Sequence, residues 1–327
     1  MAVPLEETAC PLCGTHAPRR LFPVRDLWLD APEIYGVVEC GSCGHVYLNP
    51  RPHRNEIGAL YPPVYYKTAR TDDEIRSTWN SPLNRQKASY TTLRPSALCF
   101  DIGAYWGDFL YYMQRHEWRV QGCELSPHPR NIFGLDIRRG MLEEASLPAQ
   151  SVDLLTAWAV IEHVYDPMAM AREAFRILRP GGEFLFTCPN FAGLPARYMQ
   201  QDDIPRHVQF FTPASVRFLA ERAGFRVDRI WFDDKLFQMS SRGLVEYTLR
   251  KAHGRSFVRF RREKRSRAEI ERRASLSALQ KFREAGVFWS TVRALDHILA
   301  PLLDRLAMWR GTYGIMTVRL KKPDEKE

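Results

Sequence analysis

From residue 97 onward the chain alternates short apolar runs with longer amphipathic ones. The runs at 97–102, 120–124, 152–157, 183–188 and 226–233 have the length and the β-branched or aromatic content of buried strands, and a last one falls at 313–320. Between them 107–116, 166–178 and 212–223 place apolar residues at helical spacing. Thr212 stands as N-cap of the last of these, with Pro213 in its first turn, and Arg179 to Gly182 stop the preceding one. Strands alternating with helices predict an α/β chain built on a parallel sheet. Upstream, 72–94 reads as one mostly polar helix. Downstream, Phe288, Val292, Leu295, Leu299, Leu302, Leu306 and Trp309 follow one another at spacings of 4, 3, 4, 3, 4 and 3, a single apolar stripe in which Pro301 should end one helix and start another. The simplest expectation is that this stripe packs on the chain's own surface. A dimer contact, or a membrane surface met by Trp289 and Trp309, are the alternatives, with Asp296 and Asp304 opposing deep insertion.

In a sheet of this kind ligands bind beyond the carboxyl ends of the strands, and the informative residues fall there. Asp101 and Gly103 close the first strand, Gly107 opens the following helix, and Glu124 closes the second strand, 21 residues after Gly103. A carboxylate at that place suits the paired hydroxyls of a ribose. A dinucleotide fingerprint laid on Gly103 would need glycines where Tyr105 and Asp108 stand, so the frame that fits is Asp-x-Gly-x-x-x-Gly.

The N-terminal segment carries different chemistry. Cys10-Pro-Leu-Cys13-Gly14 and Cys40-Gly-Ser-Cys43-Gly44 are near-copies of one knuckle with 26 residues between them. Two thiolates on each tight turn, with a glycine after the second, make a closed four-sulfur set suited to structural zinc. With four cysteines available, His16 and His45 are expected to be surface residues. The interval leaves room for a hairpin and a loop at 26–35, and 48–52 is an extended exit. Tyr61, Tyr65 and Tyr66 beyond it suit packing or the cover of a ligand.

Charge and composition narrow the partners. The chain has 327 residues and a formal charge of +9, but 11 basic against 3 acidic residues lie in 250–273, so the remainder is close to neutral. No N-terminal leader pattern and no apolar run of about 18 residues is visible, which makes the cytoplasm the expected compartment. Cys99, Cys123 and Cys188 lie singly in apolar runs, as buried thiols do.

These pieces together resemble a family. CFDIGAYWGDFL (99–110), GCELSP (122–127), LPAQSVDLLTAWAVIEHVYDP (147–167), RILRPGGEFLFTCPN (176–190) and RHVQFFTPASVRFLAERAGF (206–225) resemble, in order and interval, the class I S-adenosylmethionine-dependent methyltransferases. With CPLCG, CGSCG and VYLNPRP added, the chain is similar to the branch with an N-terminal zinc-binding domain, which includes sugar C-methyltransferases and enzymes of surface-glycan and natural-product pathways. The resemblance implies a Rossmann-like methyltransferase sheet, including a further strand at 134–138, with a zinc ribbon-like module in front and a helical insertion before the last strand. The divisions expected are 1–52 for the zinc module, 53–95 for a linker and lid-like segment, 96–236 for the S-adenosylmethionine-binding core, 237–312 for a basic and amphipathic insertion, and 313–327 for the last strand and tail.

Residue by residue, the resemblance implies that Asp101, Gly103, Ala104 and Gly107 hold the methionine part of S-adenosylmethionine and Glu124 its ribose. Leu125 on one side and Met141 and Leu142 on the other would flank the adenine, while Trp158 and Ala159 would face the sulfonium. Cys10, Cys13, Cys40 and Cys43 would hold Zn2+. For a base or acceptor ligand the candidates are Glu162, His163, Tyr165 and His207, with capping or packing the alternative for His163. Ala159 stands where metal-using relatives often have an acid, so no catalytic metal is expected. Tyr105, in place of a glycine, should turn its ring away from the methionine tail, with Trp106 toward the acceptor. The acceptor expected is a sugar, sugar nucleotide, lipid-linked saccharide or related small molecule, methylated at carbon or oxygen. An RNA methyltransferase, favoured by the basic run, and a catalytically inactive zinc-containing scaffold are the alternatives; residues 250–310 could also make a peripheral membrane or homodimer contact.

Overall fold

The computed structural model describes residues 3–26, 33–61, 71–127, 129–199, 203–252 and 287–324. Seven strands form the central sheet: β6 (Leu98–Ile102), β7 (Arg119–Glu124), β8 (Ile137–Arg139), β9 (Val152–Trp158), β10 (Leu178–Pro189), β12 (Arg226–Trp231) and β13 (Ile315–Lys321), in the spatial order β12-β13-β10-β9-β6-β7-β8. The pairs from β10 to β8 are parallel, and β13 runs antiparallel between β10 and β12. β6, β9 and β10 are buried along nearly their whole length, because helices cover both faces and leave no solvated side to alternate with. The strand order reverses at the β6/β9 boundary, which opens a crevice beyond the carboxyl ends of those two strands.

Local signals set the helix starts. Asp166 caps α4 (Pro167–Ile177) by accepting from the Ala169 N–H at 2.8 Å, and Thr212 caps α5 (Pro213–Ala223) through reciprocal bonds with Ser215. Each such cap is worth about 1 kcal/mol. Gly107, at φ +80°, begins α3 (Asp108–Arg115). The expected single helix over 72–94 is two short ones, α1 (Asp72–Arg76) and α2 (Pro82–Ala88). Pro82 disfavours helical backbone at Ser81, which instead caps α2 from an extended conformation.

The N-terminal module is a sheet of β2 (Pro18–Arg25), β3 (Ile34–Cys40) and β4 (Val46–Leu48), beside a small β1–β5 pair (Leu5–Glu6 with Arg51–Pro52). Its fourth strand, β11 (Gln209–Phe210), comes from far along the chain and pairs antiparallel with β4. Cys10, Leu12, Val38, Cys40 and Tyr47 share a buried cluster with Phe100, Ile161, Met168 and Phe211, so the module and the central sheet are packed as one body.

The C-terminal helices depart most from the expectation. α7 (Val287–Arg310) is continuous through Pro301. A proline removes one backbone donor and bends a helix, and the neighbouring turns still carry it. Nor does the seven-residue stripe pack. Val292 is buried, but Phe288, Leu295, Leu299, Leu302 and Leu306 are exposed, and Trp309 is 80% exposed. The face that docks is set by two carboxylates: Asp296 accepts from the Val245 and Glu246 N–H groups at the start of α6 (Leu244–Ala252), and Asp304 accepts from Ser241 N–H. Those contacts rotate the apolar stripe away from the body. No helix among the described residues is long and apolar enough to cross a membrane. Of the basic run at 250–273, residues 253–273 lie outside the described residues, as do Tyr65 and Tyr66.

Candidate active site

The loop after β6 is held by its own backbone. The Gly103 and Ala104 N–H groups donate to the Cys123 carbonyl at 2.9 and 3.0 Å, and the Gly107 N–H donates to the Ala104 carbonyl at 2.8 Å. Gly103 has φ +70°, and a Cβ there would come within 2.7 Å of the Val160 side chain. Both features require glycine. Tyr105 also has positive φ, +52°, a conformation that costs a side-chain-bearing residue roughly 1–2 kcal/mol. Its N–H offsets that cost by donating to Glu124 Oε2 at 3.0 Å, while Ser126 N–H donates to Oε1 at 2.7 Å. Tyr105 thus lines a cavity of about 170 Å³ with Glu124, Ser126, Ile137 and Arg139. The ring of Trp106 lies 5.0 Å from that of Tyr105 and is buried, with the Arg130 guanidinium 5.6 Å from its centre.

The other residues of this end of the sheet separate into exposed and buried. Leu125 is 58% and Met141 39% exposed, whereas Leu142 is 1% exposed within the main core, so only Met141 of that pair offers a free face. Asp101 is buried beside β9 and accepts a hydrogen bond from Thr156 Oγ1; burial pushes its carboxyl up to about 7 against the pull of Lys87. Lys87 of α2 reaches in from the side, with its ammonium 5.3 Å from the Phe109 ring and 5.5 Å from that of Trp158. Burial holds its pKa below the usual lysine range, and no carboxylate among the described residues makes an ion pair with it. Trp158 Nε1 is buried without a partner. Nothing in the local sequence of α2 marks Lys87 out; only the placing of α2 over β6 and β9 brings it to Asp101.

A second group stands just past β9. Glu162 and His163 lie on a short 3-10 turn (Ile161–His163), and His207 precedes β11. Their ligand-capable atoms fall within 4.8 Å of one another, and the two imidazole rings meet edge to face at 4.6 Å. His163 Nδ1 lies 3.1 Å from the Arg206 carbonyl and 2.9 Å from Tyr61 Oη. A carbonyl only accepts, so this network puts the proton on Nδ1 and leaves Nε2 with a bare lone pair. Burial pushes His163 down to about 4 and His207 well below its ordinary value, so both are neutral at pH 7, while burial pushes Glu162 up to about 8. Glu162 Oε2 has no hydrogen-bond partner. Two imidazoles and a carboxylate are also a donor set that can take a divalent transition ion, which the expectation drawn from Ala159 had set aside. The loop bearing His207 is fixed by Arg206, which is fully buried and paired with Asp26 at 3.1 Å. No local pattern marks that pair, because its members are 180 residues apart.

Tyr165 is not with this group. Its hydroxyl donates to the Pro52 carbonyl at 2.7 Å and its ring lies 4.3 Å from the Arg51 guanidinium, which makes it a link to the N-terminal module. His45 also differs from expectation: the β4/β11 pairing buries it completely, its Nε2 meets Gln209 Oε1 at 2.9 Å, and burial lowers its pKa to about 4. His16 is exposed as expected.

The four knuckle cysteines do converge. Cys10 and Cys43 Sγ are 3.5 Å apart, as are Cys13 and Cys40, and all four sulfurs lie within 4.8 Å of one another. A tetrahedron of zinc–sulfur bonds of about 2.3 Å has edges of about 3.8 Å, so the set fits a zinc ion. Thr15 Oγ1, 3.0 Å from Cys13 and 3.3 Å from Cys40, supplies the outer hydrogen bonds such a site uses.

The strand order with its single antiparallel insertion, and the crevice formed by β6, β7 and β9, define a Rossmann-like class I methyltransferase fold. Residues 75–230 match the family model described as a methyltransferase domain. A Mycolicibacterium smegmatis protein named as an S-adenosylmethionine-dependent methyltransferase is 34% identical over 172 residues, 52% of this chain and 60% of that protein. A ubiquinone biosynthesis O-methyltransferase of Hahella chejuensis is 28% identical over 106 residues, 29% of this chain and 44% of that one. The chain thus spans less than two thirds of either relative. Among solved structures, an S-adenosylmethionine-dependent methyltransferase from Archaeoglobus fulgidus aligns over 79% of this chain and 98% of its own, at 14% identity and a TM-score of 0.46. The match places a methyltransferase domain in residues 75–230.

Proposed function

We propose that this chain transfers a methyl group from S-adenosylmethionine to a hydroxyl or carbon of a small acceptor, a sugar, sugar nucleotide, lipid-linked saccharide or related molecule, with His163 as the base. One observation carries the reading: a neutral imidazole with its Nε2 lone pair free stands just past β9, beside the crevice that Asp101, Gly103 and Glu124 form. When bound, S-adenosylmethionine supplies an electrophilic methyl group on a sulfonium.

The remaining work falls to the chain. Glu124 keeps lone pairs beyond those used by Tyr105 and Ser126, enough to accept from two ribose hydroxyls. Asp101 would meet the amino group of the methionine portion and Lys87 its carboxylate, since a desolvated ammonium without an ion-pair partner favours an anion. Leu125 and Met141 give apolar faces for the adenine. His163 Nε2 takes the acceptor's proton, and its Nδ1–H stays oriented by the Arg206 carbonyl. The four cysteines would hold zinc as a closed structural site, supplying folding energy and no open position for chemistry.

The test is transfer of labelled methyl to a panel of saccharides, sugar nucleotides and hydroxylated aromatics. His163→Ala is expected to lower kcat by about 10²-fold or more with the KM for the methyl donor little changed. An unchanged kcat would remove His163 from the base role.

A further inference from the structure

We propose that the cleft between the first cysteine knuckle and helices α4 and α5 binds the diphosphate of a nucleotide. The cleft has a volume of about 430 Å³, within the size range of small-ligand sites. Residues 8–14 line one side, and four arginines line it as well: Arg51 from β5, Arg54 from the following turn, Arg172 from α4 and Arg222 from α5. Four elements from three stretches far apart in sequence thus bring cations to one concavity.

Their neutralisation is incomplete. Arg51 pairs with Glu6 at 2.7 Å, but among the described residues Arg54, Arg172 and Arg222 have no carboxylate at ion-pair distance. The same surface does pair its arginines elsewhere: one turn along α4 from Arg172, Arg176 holds Glu173 at 2.6 Å. The one acid in the cleft wall, Asp166, spends an oxygen on the Ala169 N–H, and Glu143 reaches Arg54 only through the longer-range field.

The guanidiniums are also preset. Arg51 lies 4.3 Å and Arg54 5.6 Å from the Tyr165 ring centre, and Arg222 lies 5.4 Å from that of Phe218. Arg51 spends Nε on Glu6 and an Nη on the Tyr165 carbonyl at 3.1 Å, so it is a fixed charge behind the cleft. For Arg54 and Arg222, stacking uses the flat face of the guanidinium and leaves the N–H edge, the part that matches phosphate oxygens two at a time, for a ligand. Pro11, Leu12 and Met168 add an apolar side against which a nucleoside can lie. Cys10 and Cys13 also reach the cleft, so the competing account is that the arginines only balance the charge of the zinc thiolates.

Calorimetry on the zinc-loaded full chain separates the accounts, using UDP, ADP and inorganic pyrophosphate, with uridine and adenosine as uncharged controls. The site predicts micromolar binding of pyrophosphate and at least one nucleoside diphosphate, and none of the nucleosides. The double variant Arg172→Ala/Arg222→Ala should weaken that binding roughly tenfold or more while zinc content and S-adenosylhomocysteine affinity stay at wild-type values. No heat with any of the three at about 1 mM overturns the proposal. So does a double variant that binds as well as wild type, one that loses zinc along with the ligand, or a cleft that answers only to RNA. None of these outcomes depends on the methyl-transfer reading.

Discussion

Asp101 and Lys87 share a buried setting in which neither is comfortably charged, and this gives the site a pH signature. The folded protein binds a proton on Asp101 up to about pH 7, whereas an unfolded aspartate releases it near about 3.9. Between those values the folded state holds more protons, so stability falls as pH rises through the window, by about 1.4 kcal/mol for each pKa unit separating the two states. Asp101→Asn should flatten that slope in urea titrations. Affinity for S-adenosylhomocysteine should tighten as pH rises through about 7, as the carboxylate that meets its amino group forms. In the same titration Lys87→Met should weaken S-adenosylhomocysteine but not 5′-methylthioadenosine, which lacks the carboxylate. Equal losses for the two ligands would remove Lys87 from that role. Asp101, Gly103 and Glu124 were legible in the sequence because strand ends and glycine spacing mark them. Lys87 was not, since its place depends on where a short polar helix lands. His45 was misjudged for a related reason: what buries it is Gln209 on β11, a strand of two residues with no signal of its own.

At the scale of elements, the strands and capped helices of the sheet followed from periodicity and cap chemistry, with most ends shifted by a residue or two; β10 begins five residues before the expected 183 and β8 three residues after the expected 134. The amphipathic stripe did not predict its own packing, because Asp296 and Asp304 fix α7 through hydrogen bonds to the start of α6 and the segment before it, which outweigh apolar periodicity. The four-cysteine module raises a different point. β11 is shared between it and the core, and His207 lies two residues before β11. Removing zinc should therefore disturb the base loop before it disturbs the crevice at β6 and β7. Elemental analysis is expected to give one zinc per chain. Stripping it with a chelator should cut methyl transfer by at least an order of magnitude while changing S-adenosylhomocysteine affinity by less than about threefold. A zinc-free protein with full activity would contradict this coupling.

For the whole molecule, one packed body carries three sites of unlike chemistry: a crevice of acid, glycine and aromatic residues, a neutral histidine pair, and a cleft of arginines beside four thiolates. The Arg206–Asp26 pair, Tyr165 and β11 tie the N-terminal module to the core. The Tyr105 backbone keeps the conformation that a glycine would take, so the altered loop still presents Glu124 as the fold requires. Calorimetry with S-adenosylhomocysteine decides whether this crevice binds S-adenosylmethionine. One site per chain with micromolar affinity is expected, weakened roughly tenfold or more by Glu124→Ala. No binding at about 1 mM ligand, or binding that Glu124→Ala leaves untouched, would contradict it.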